Sequence, residues 1–544
     1  MKDERRLPIG VQSFEKLRES GFLYVDKTRY IHALVRSGGQ YFLSRPRRFG
    51  KSLFLSTLKA YWEGKSELFE GLAIEGLEKG NEGAFEPYPV FYFDFNGQNY
   101  QAMALEDVLD GMLSEWEEIY GCEKKGSLSD RFKKLMKTAK EKTGKGCVVL
   151  IDEYDKPLLV GGEARHPVAP PTLGHPWPSE VLENDVLEEH NKAVFKGFFG
   201  TLKSYDEYLR FVFITGVTKF SKVSIFSDLN QLQDISLYED YSVVCGMTEE
   251  EIRSCFRPEL QRMAAKHKLD EEGCLQKLAK MYDGYHFYPD SPGVYNPFSV
   301  LNALQQREFE AYWFATGTPT FLVRRLKNMH FDVRQLENGT VEATSGMLSD
   351  YRADNPDILP LLYQTGYLTA VGFDRQARLY SLGFPNEEVK YGFLSSLFPE
   401  YAPSSVPGSG KDIFTLRRRI LAGDAEGMGE VLSALFESIP YTTKDAPFEH
   451  YFQTVLYLVF TLLGQYVHCE VHSSRGRADC ILETDEFVYI FEFKVDKSAQ
   501  EALAQIEEKG YALPYAADKR QVFKIGVSFD GEARKLAEWE VADS

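Results

Sequence analysis

Two sets of side chains in this sequence have the types and spacing for chemistry on phosphates. The first begins at Gly50-Lys51-Ser52 and is completed a hundred residues later by Asp152 and Glu153. At a strand-to-helix turn, helix-start N–H groups and Lys51 can hold the β- and γ-phosphates of a nucleotide while the Ser52 hydroxyl reaches Mg2+. Asp152 is placed to accept from Mg2+-bound water, and Glu153 to polarise an attacking water. The second set is Asp479, Glu492 and Lys494, spaced D-x(12)-E-x-K. Its two hard carboxylates suit Mg2+, and its lysine can orient or deprotonate water and steady the charge developing on a phosphate.

Each set needs elements to position it. Tyr41 to Ser44 is an apolar strand that passes through the basic loop RPRRFG into the helix LFLSTLKAYW. Arg48, Phe49 and Gly50 thus form the last turn of a phosphate loop ahead of Lys51 and Ser52. The motif is partial: the full pattern has glycine where this chain has Arg45, and Pro46 withdraws one backbone donor. By chance, a basic turn before an amphipathic helix reads the same way. GCVVLIDEYD, Gly146 to Asp155, is a continuously apolar strand of the kind buried in a parallel sheet, ending in acids. Alone it also fits a buried strand with a solvated turn. Together, in this order, the two favour a nucleotide-binding α/β domain.

Two further strands are expected in that domain. One spans Pro89 to Gly97, and its Asp94 either faces the phosphates or caps the next helix. The other spans Leu209 to Thr218, beside the acid-bearing strand, where Thr215 either senses the γ-phosphate or simply closes the strand. Tyr24, Asp26 and Lys27 read as aromatic packing with a surface ion pair in preference to base or ribose contacts. Gly161 to Ser179, with five prolines, is a surface loop that serves as a lid, a partner contact or a tolerated insertion.

Near the C-terminus, FVYIFEFKV places Phe487, Tyr489, Phe491 and Phe493 on one face by the two-residue period, and Glu492 with Lys494 on the other. Charges on an otherwise apolar face need a partner or a metal; a surface ion pair is the plain alternative. Arg475 and Arg477 can meet a phosphate backbone. The aromatic segment Met281 to Leu304 reads as the core of a small domain before a base-stacking surface, and Arg417-Arg418-Arg419 as a solvated helix face.

A chain of 544 residues suggests about three domains. With 43% hydrophobic and 26% charged residues it has the composition of a folded soluble protein. A net charge of −18 excludes indiscriminate nucleic-acid binding by the whole surface and leaves room for local basic clefts. Seven cysteines without a CxxC pair argue for reduced thiols rather than a disulfide frame or zinc site, hence a cytoplasmic protein. No apolar signal core opens the chain and no run is long enough to span a bilayer, so no membrane segment is expected.

The runs YVDKTRYIHALV, SRPRRFGKSLFLSTLKAYWEGKSELFEGL, VVLIDEYDKPL and TGVTKFSKVSIFSDLNQLQDIS resemble the bacterial AAA-ATPase-like proteins that carry a C-terminal nuclease-like domain. The resemblance covers most of the chain. Relatives share the loop RPRRFGKS, so the resemblance implies ATP binding by this form of loop, and a small helical or winged-helix-like domain after the ATPase core. The C-terminal set resembles the PD-(D/E)XK nuclease arrangement. That implies Asp479 and Glu492 as Mg2+ ligands, Lys494 as the catalytic lysine, Glu449 as the extra acid of many relatives and Gln505 as an accessory residue.

The expected architecture is α/β: a P-loop NTPase parallel-sheet domain over 1–240, a small helical, winged-helix-like domain over 241–330, a helical connector over 331–440, and a restriction-endonuclease-like α/β domain over 441–544. The expected function is an ATP-binding, ATP-regulated, Mg2+-dependent nuclease acting on nucleic acid, DNA first. The alternative is a nucleotide-dependent binding switch whose nuclease-like domain holds nucleic acid or protein without cleaving. AAA-type relatives often assemble, which leaves an oligomer open.

Overall fold

Apolar runs dictate the first sheet. In the computed structural model β1 (Gly39–Ser44), β2 (Val90–Asp94), β3 (Cys147–Asp152), β4 (Leu209–Gly216) and β5 (Leu232–Asp234) lie in the order β2-β3-β4-β1-β5. Every neighbouring pair is parallel. β3 is buried at all six positions, as its lack of alternation requires of a central parallel strand. The structure describes residues 5–100, 102–158, 182–219, 231–314, 322, 326, 331, 333–336, 341–349, 357–401, 409–437, 448–463, 468–469, 480–532 and 535–543. The proline-rich stretch Gly161 to Ser179 lies outside them.

The chain forms two units, one of residues 1–317 and 336–389, the other of 318–335 and 390–544. In the first, the helices Glu249–Cys255, Arg257–His267, Glu271–Tyr282 and Pro297–Gln306 close on one apolar cluster that includes Phe256, Leu260, Leu278, Tyr282, Tyr295 and Leu301. The aromatic segment is therefore core, as favoured.

A second, antiparallel sheet follows in the same unit. β6 (Val341–Thr344), the helices Ser345–Ser349 and Leu359–Thr365, then β7 (Thr369–Asp374) and β8 (Leu379–Gly383) form an antiparallel sheet β6-β8-β7. Residues 331–440 are thus no helical connector but are divided between the two units. Strands of four to six residues joined by a polar turn carry too little periodicity to stand out beside helices.

Glu388 packs into this unit, buried, accepting from Ser299 Oγ and the Trp313 N–H at 2.7 Å each. Burial pushes its carboxyl up to about 7 from the ordinary 4.5. The folded form holds this proton more tightly than the unfolded chain, so the stability it contributes is complete below pH 4.5 and lost as pH rises through about 7. Glu388→Gln is expected to stabilise the protein at pH 8 by up to roughly 3 kcal/mol, with the gain vanishing near the acid limit. Melting curves at both pH values check this, and a gain that did not depend on pH would refute it.

The second unit holds β9 (His468–Cys469), β10 (Cys480–Glu483), β11 (Phe487–Val495), β12 (Gln521–Asp530) and β13 (Lys535–Asp543), in the order β13-β12-β11-β10-β9. β11 and β12 are parallel and the other pairs antiparallel. The Tyr489 hydroxyl donates to the Ile420 carbonyl at 2.5 Å and the Trp539 indole N–H to that of Ala425 at 3.1 Å, so the helices Ser409–Leu421 and Ala425–Glu437 belong to this sheet. In the former, Arg419 pairs with Asp424, and Arg418 is exposed, consistent with a solvated face. Among the described residues no helix is long and apolar enough to cross a membrane.

Candidate functional site

β1 delivers the loop 45–50 to the N-terminus of the helix Lys51–Trp62. The first helical bond runs from the Phe54 N–H to the Gly50 carbonyl at 2.9 Å, so the N–H groups of Lys51, Ser52 and Leu53 have no acceptor within the helix. Gly50 takes φ +92 and Arg48 φ +69. The left-handed turn that glycine usually supplies is therefore made partly by an arginine, at a cost of about 1 kcal/mol or more.

Lys51 is buried and donates to the Arg45 and Pro46 carbonyls at 2.9 and 3.0 Å. Burial lowers its ammonium, against the pull of Glu153, Asp152 and Asp155. Across the gap, Asp152 ends β3, accepts from the Glu153 N–H at 3.0 Å and has the Ser52 and Tyr92 hydroxyls as neighbours. Burial pushes its carboxyl up to about 6, with the Ser52 hydroxyl and the Lys51 ammonium opposing. Glu153 stands beside it at φ +47, its carboxylate 3.8 Å from Lys156. Ser52, Lys51, Asp152 and Glu153 are thus brought together as expected. A serine hydroxyl beside a carboxylate, with a lysine and helix-start donors alongside, is a donor set that suits a nucleotide with Mg2+.

Other loop positions differ from expectation. The Arg48 guanidinium lies 4.6 Å from the Phe298 ring centre, and Phe49 is buried against Tyr285 and Phe287, so both offer the phosphates main chain only. Thr215 lies beside β3, since β3 and β4 are neighbours, but its buried hydroxyl donates to the Leu43 carbonyl at 2.9 Å. A fully buried hydroxyl must find a partner, and this one pins β4 to β1 instead of facing the loop. Asp94 accepts from the Asn96 N–H at 2.8 Å, closing a turn directly after β2 rather than capping the helix Leu105–Tyr120. The Lys27 ion pair, with Glu251, is buried rather than on the surface, and Tyr24 packs on Phe14.

Asp155 was missed. One of its oxygens accepts from the Val217 and Thr218 N–H groups at 3.0 and 2.7 Å and from the Thr218 hydroxyl at 2.8 Å, tying the ends of β3 and β4. The second acid of DEYD was the available signal. A Cβ on Gly216 would lie 2.7 Å from both Asp155 Oδ1 and the Tyr154 ring. Gly216→Ala is accordingly expected to destabilise the fold by about 1–3 kcal/mol, checked by denaturant titration.

In the second unit the alternation on β11 holds. Phe487, Tyr489, Phe491 and Phe493 form one face, with ring contacts between Phe487 and Tyr489 and between Phe491 and Phe493. Val488 and Ile490 on the other pack on the helix Ala499–Lys509 through Ile506. Farther along that face Glu492, 2% exposed, accepts from Lys494 at 2.9 Å and from Gln505, and Lys494 also donates to Gln505 at 2.7 Å. Gly526, opposite Glu492 in the ladder, lets the helix approach, because a Cβ there would lie 2.2 Å from the Ala499 carbonyl oxygen. Asp479, Arg475 and Arg477 lie outside the described residues. Of Glu449 only its place in the first turn of the helix Phe448–Leu463 is described. Among the described residues no group of three metal-ligating side chains forms; Glu492 by itself is a buried, hydrogen-bonded carboxylate of the hard type that Mg2+ takes.

Fold and site together define a class: a P-loop nucleotide-binding α/β domain joined in one chain to an α/β domain of nuclease type. Residues 8–168 and 176–226 match the model of the predicted AAA-ATPase family, and residues 447–539 that of the PD-(D/E)XK nuclease superfamily. A protein of Azotobacter chroococcum mcd 1, described as an uncharacterized protein in the vnfD 5' region, is 36% identical over 547 residues, 98% of each chain. The chain belongs to this family of AAA-ATPase-like proteins with a C-terminal PD-(D/E)XK nuclease superfamily domain. Similar solved structures include the Aeropyrum pernix Orc1 protein in complex with DNA, at 11% identity and a TM-score of 0.24 over 68% of this chain and 91% of that one. Cdc6p from Pyrobaculum aerophilum is similar at 12% identity and a TM-score of 0.23 over 73% and 96%.

Proposed function

We propose that this protein is an ATP-regulated nuclease: ATP binds with Mg2+ at Lys51, Ser52 and Asp152, and the second unit hydrolyses phosphodiester bonds, of DNA first. The observation that carries the reading is the hydrogen-bonded Glu492–Lys494–Gln505 group on one strand and one helix, built round the buried Glu492 carboxylate. A buried carboxylate with a half-buried ammonium on an apolar face is costly unless the two serve each other or a ligand. Glu492, with Asp479 as the family pattern implies, would hold a divalent cation, which would supply Lewis-acid activation of water and charge neutralisation at the phosphodiester. The chain's own part is to hold Glu492 in place through Gln505 and to keep the Lys494 ammonium beside it, where it can orient water and stabilise a developing phosphate oxyanion.

The second reading is a nucleotide-dependent binding switch without cleavage. What favours it is that Lys494 is committed to both Glu492 and Gln505, an arrangement able to maintain itself as a structural ion pair. The deciding experiment is cleavage of plasmid, linear duplex and single-stranded DNA with Mg2+ or Mn2+, with and without ATP. Metal-dependent cleavage supports the nuclease. DNA bound tightly but left intact under both metals supports the switch.

A further inference from the structure

We propose that Arg45 is the positioning residue of the phosphate loop: standing where the glycine-rich pattern has its first glycine, its side chain fixes the loop main chain from behind, so that Lys51 and the helix-start N–H groups meet the phosphates. The proposal rests on the nucleotide-binding reading above.

An arginine in a basic loop beside a phosphate site is expected to point at the phosphates. Arg45 does the opposite. It is 1% exposed, and its guanidinium donates to the Ser44, Ser236 and Tyr241 carbonyls at 2.9, 2.8 and 2.8 Å. Its flat face lies 4.0 Å from the Phe287 ring centre. Bonds from a charged donor to neutral carbonyls in a dry site are strong and geometrically demanding. Burial accordingly draws the guanidinium down to about 10.

The main chain of the same residue is held at both ends. Its N–H donates to the Gly216 carbonyl at 3.3 Å and its carbonyl receives Lys51. The side chain thus sets the direction of a carbonyl that aims the phosphate-binding lysine. Neighbouring loop residues are fixed in the same way from within the first unit. The Trp313 indole donates to the Arg47 carbonyl at 3.3 Å and the Gly246 N–H to that of Phe49 at 3.1 Å. Pro46 fills the space where a Cβ on Gly366 would fall, 2.6 Å away. A glycine-rich loop wraps phosphates because it is free to bend; this one is set in shape by side chains beyond the sheet, with Arg45 at the centre.

Arg45→Gly, which restores the standard motif, is therefore expected to impair the site. The test uses the full-length protein and measures binding of fluorescent ATP and AMP analogues with Mg2+, alongside melting curves. The loop serves the β- and γ-phosphates, so Arg45→Gly is expected to weaken ATP binding about tenfold or more while changing AMP binding less than about threefold. Arg45→Lys, which keeps the charge but not the three-way geometry, is expected to fall between. Equal loss of ATP and AMP binding, or ATP binding within about twofold of wild type, would overturn the proposal. Should Arg45→Gly fail to fold, Phe287→Leu provides the second arm: it removes the ring beneath the guanidinium and must lower ATP binding more than AMP binding, failing which the proposal falls. Lys51→Ala separates the two levels: wild-type protein that binds no ATP, or Lys51→Ala protein that binds it normally, overturns the nucleotide reading itself and Arg45's role with it.

Discussion

Glu492→Gln is expected to abolish metal-dependent cleavage, by a factor of about a thousand or more, and to leave ATP affinity unchanged. The amide keeps the volume and one oxygen at the position where Lys494 and Gln505 now donate, so the packing between β11 and the helix Ala499–Lys509 survives. What disappears is the negative charge, on which both a divalent cation and the Lys494 ammonium depend. Glu492→Ala is the harsher variant, since it strips the half-buried Lys494 ammonium of its carboxylate and empties the space beside the helix. The measurement is the initial rate of plasmid nicking with Mg2+ or Mn2+, together with ATP titration of the same preparations. Cleavage by Glu492→Gln at the wild-type rate would sink the nuclease assignment of this site. No cleavage of any DNA or matching RNA by wild-type protein that binds ATP would replace the nuclease with the switch.

Lys51→Ala is the second large expected effect: ATP affinity is expected to fall about a hundredfold, and any dependence of DNA cleavage on ATP to be lost. Lys51 sits in a dry site facing three carboxylates, Glu153, Asp152 and Asp155. A tetra-anionic nucleotide brought beside those acids relies on this ammonium to offset their repulsion. The fold should tolerate the change, because the partners released are two loop carbonyls rather than a buried carboxylate. Calorimetric titration of Mg2+-ATP into both proteins gives the answer, and affinities within about threefold of each other would remove the lysine from the nucleotide site. If cleavage persists in Lys51→Ala but no longer responds to ATP, the two activities are separable and the first unit regulates the second.

Sequence by itself determined what depends on local pattern. The strand of Val148 to Ile151 had to be buried on both faces because it has no polar side to show to water, and it was found in the middle of a parallel sheet. The two-residue period of Phe487 to Val495 placed Glu492 and Lys494 on one face before any coordinate did. Gly50-Lys51-Ser52 announced a helix start, and residue type alone carried the class of chemistry.

Only the tertiary structure decided what depends on partners distant in the chain. The loop's shape is set by Ser236, Tyr241, Phe287 and Trp313, some 190 to 270 residues from the arginines they hold, and no local spacing encodes such pairs. Thr215 and Asp155 could be recognised as polar ends of strands, but which carbonyls and N–H groups they satisfy follows from the order in which β3, β4 and β1 lie. The same holds for the short hairpin of β7 and β8, whose strands gain their stability from cross-strand neighbours. Chemistry is written in residue types and short spacings; the direction in which a buried charge points is fixed by desolvation, which acts on whatever the fold brings within reach.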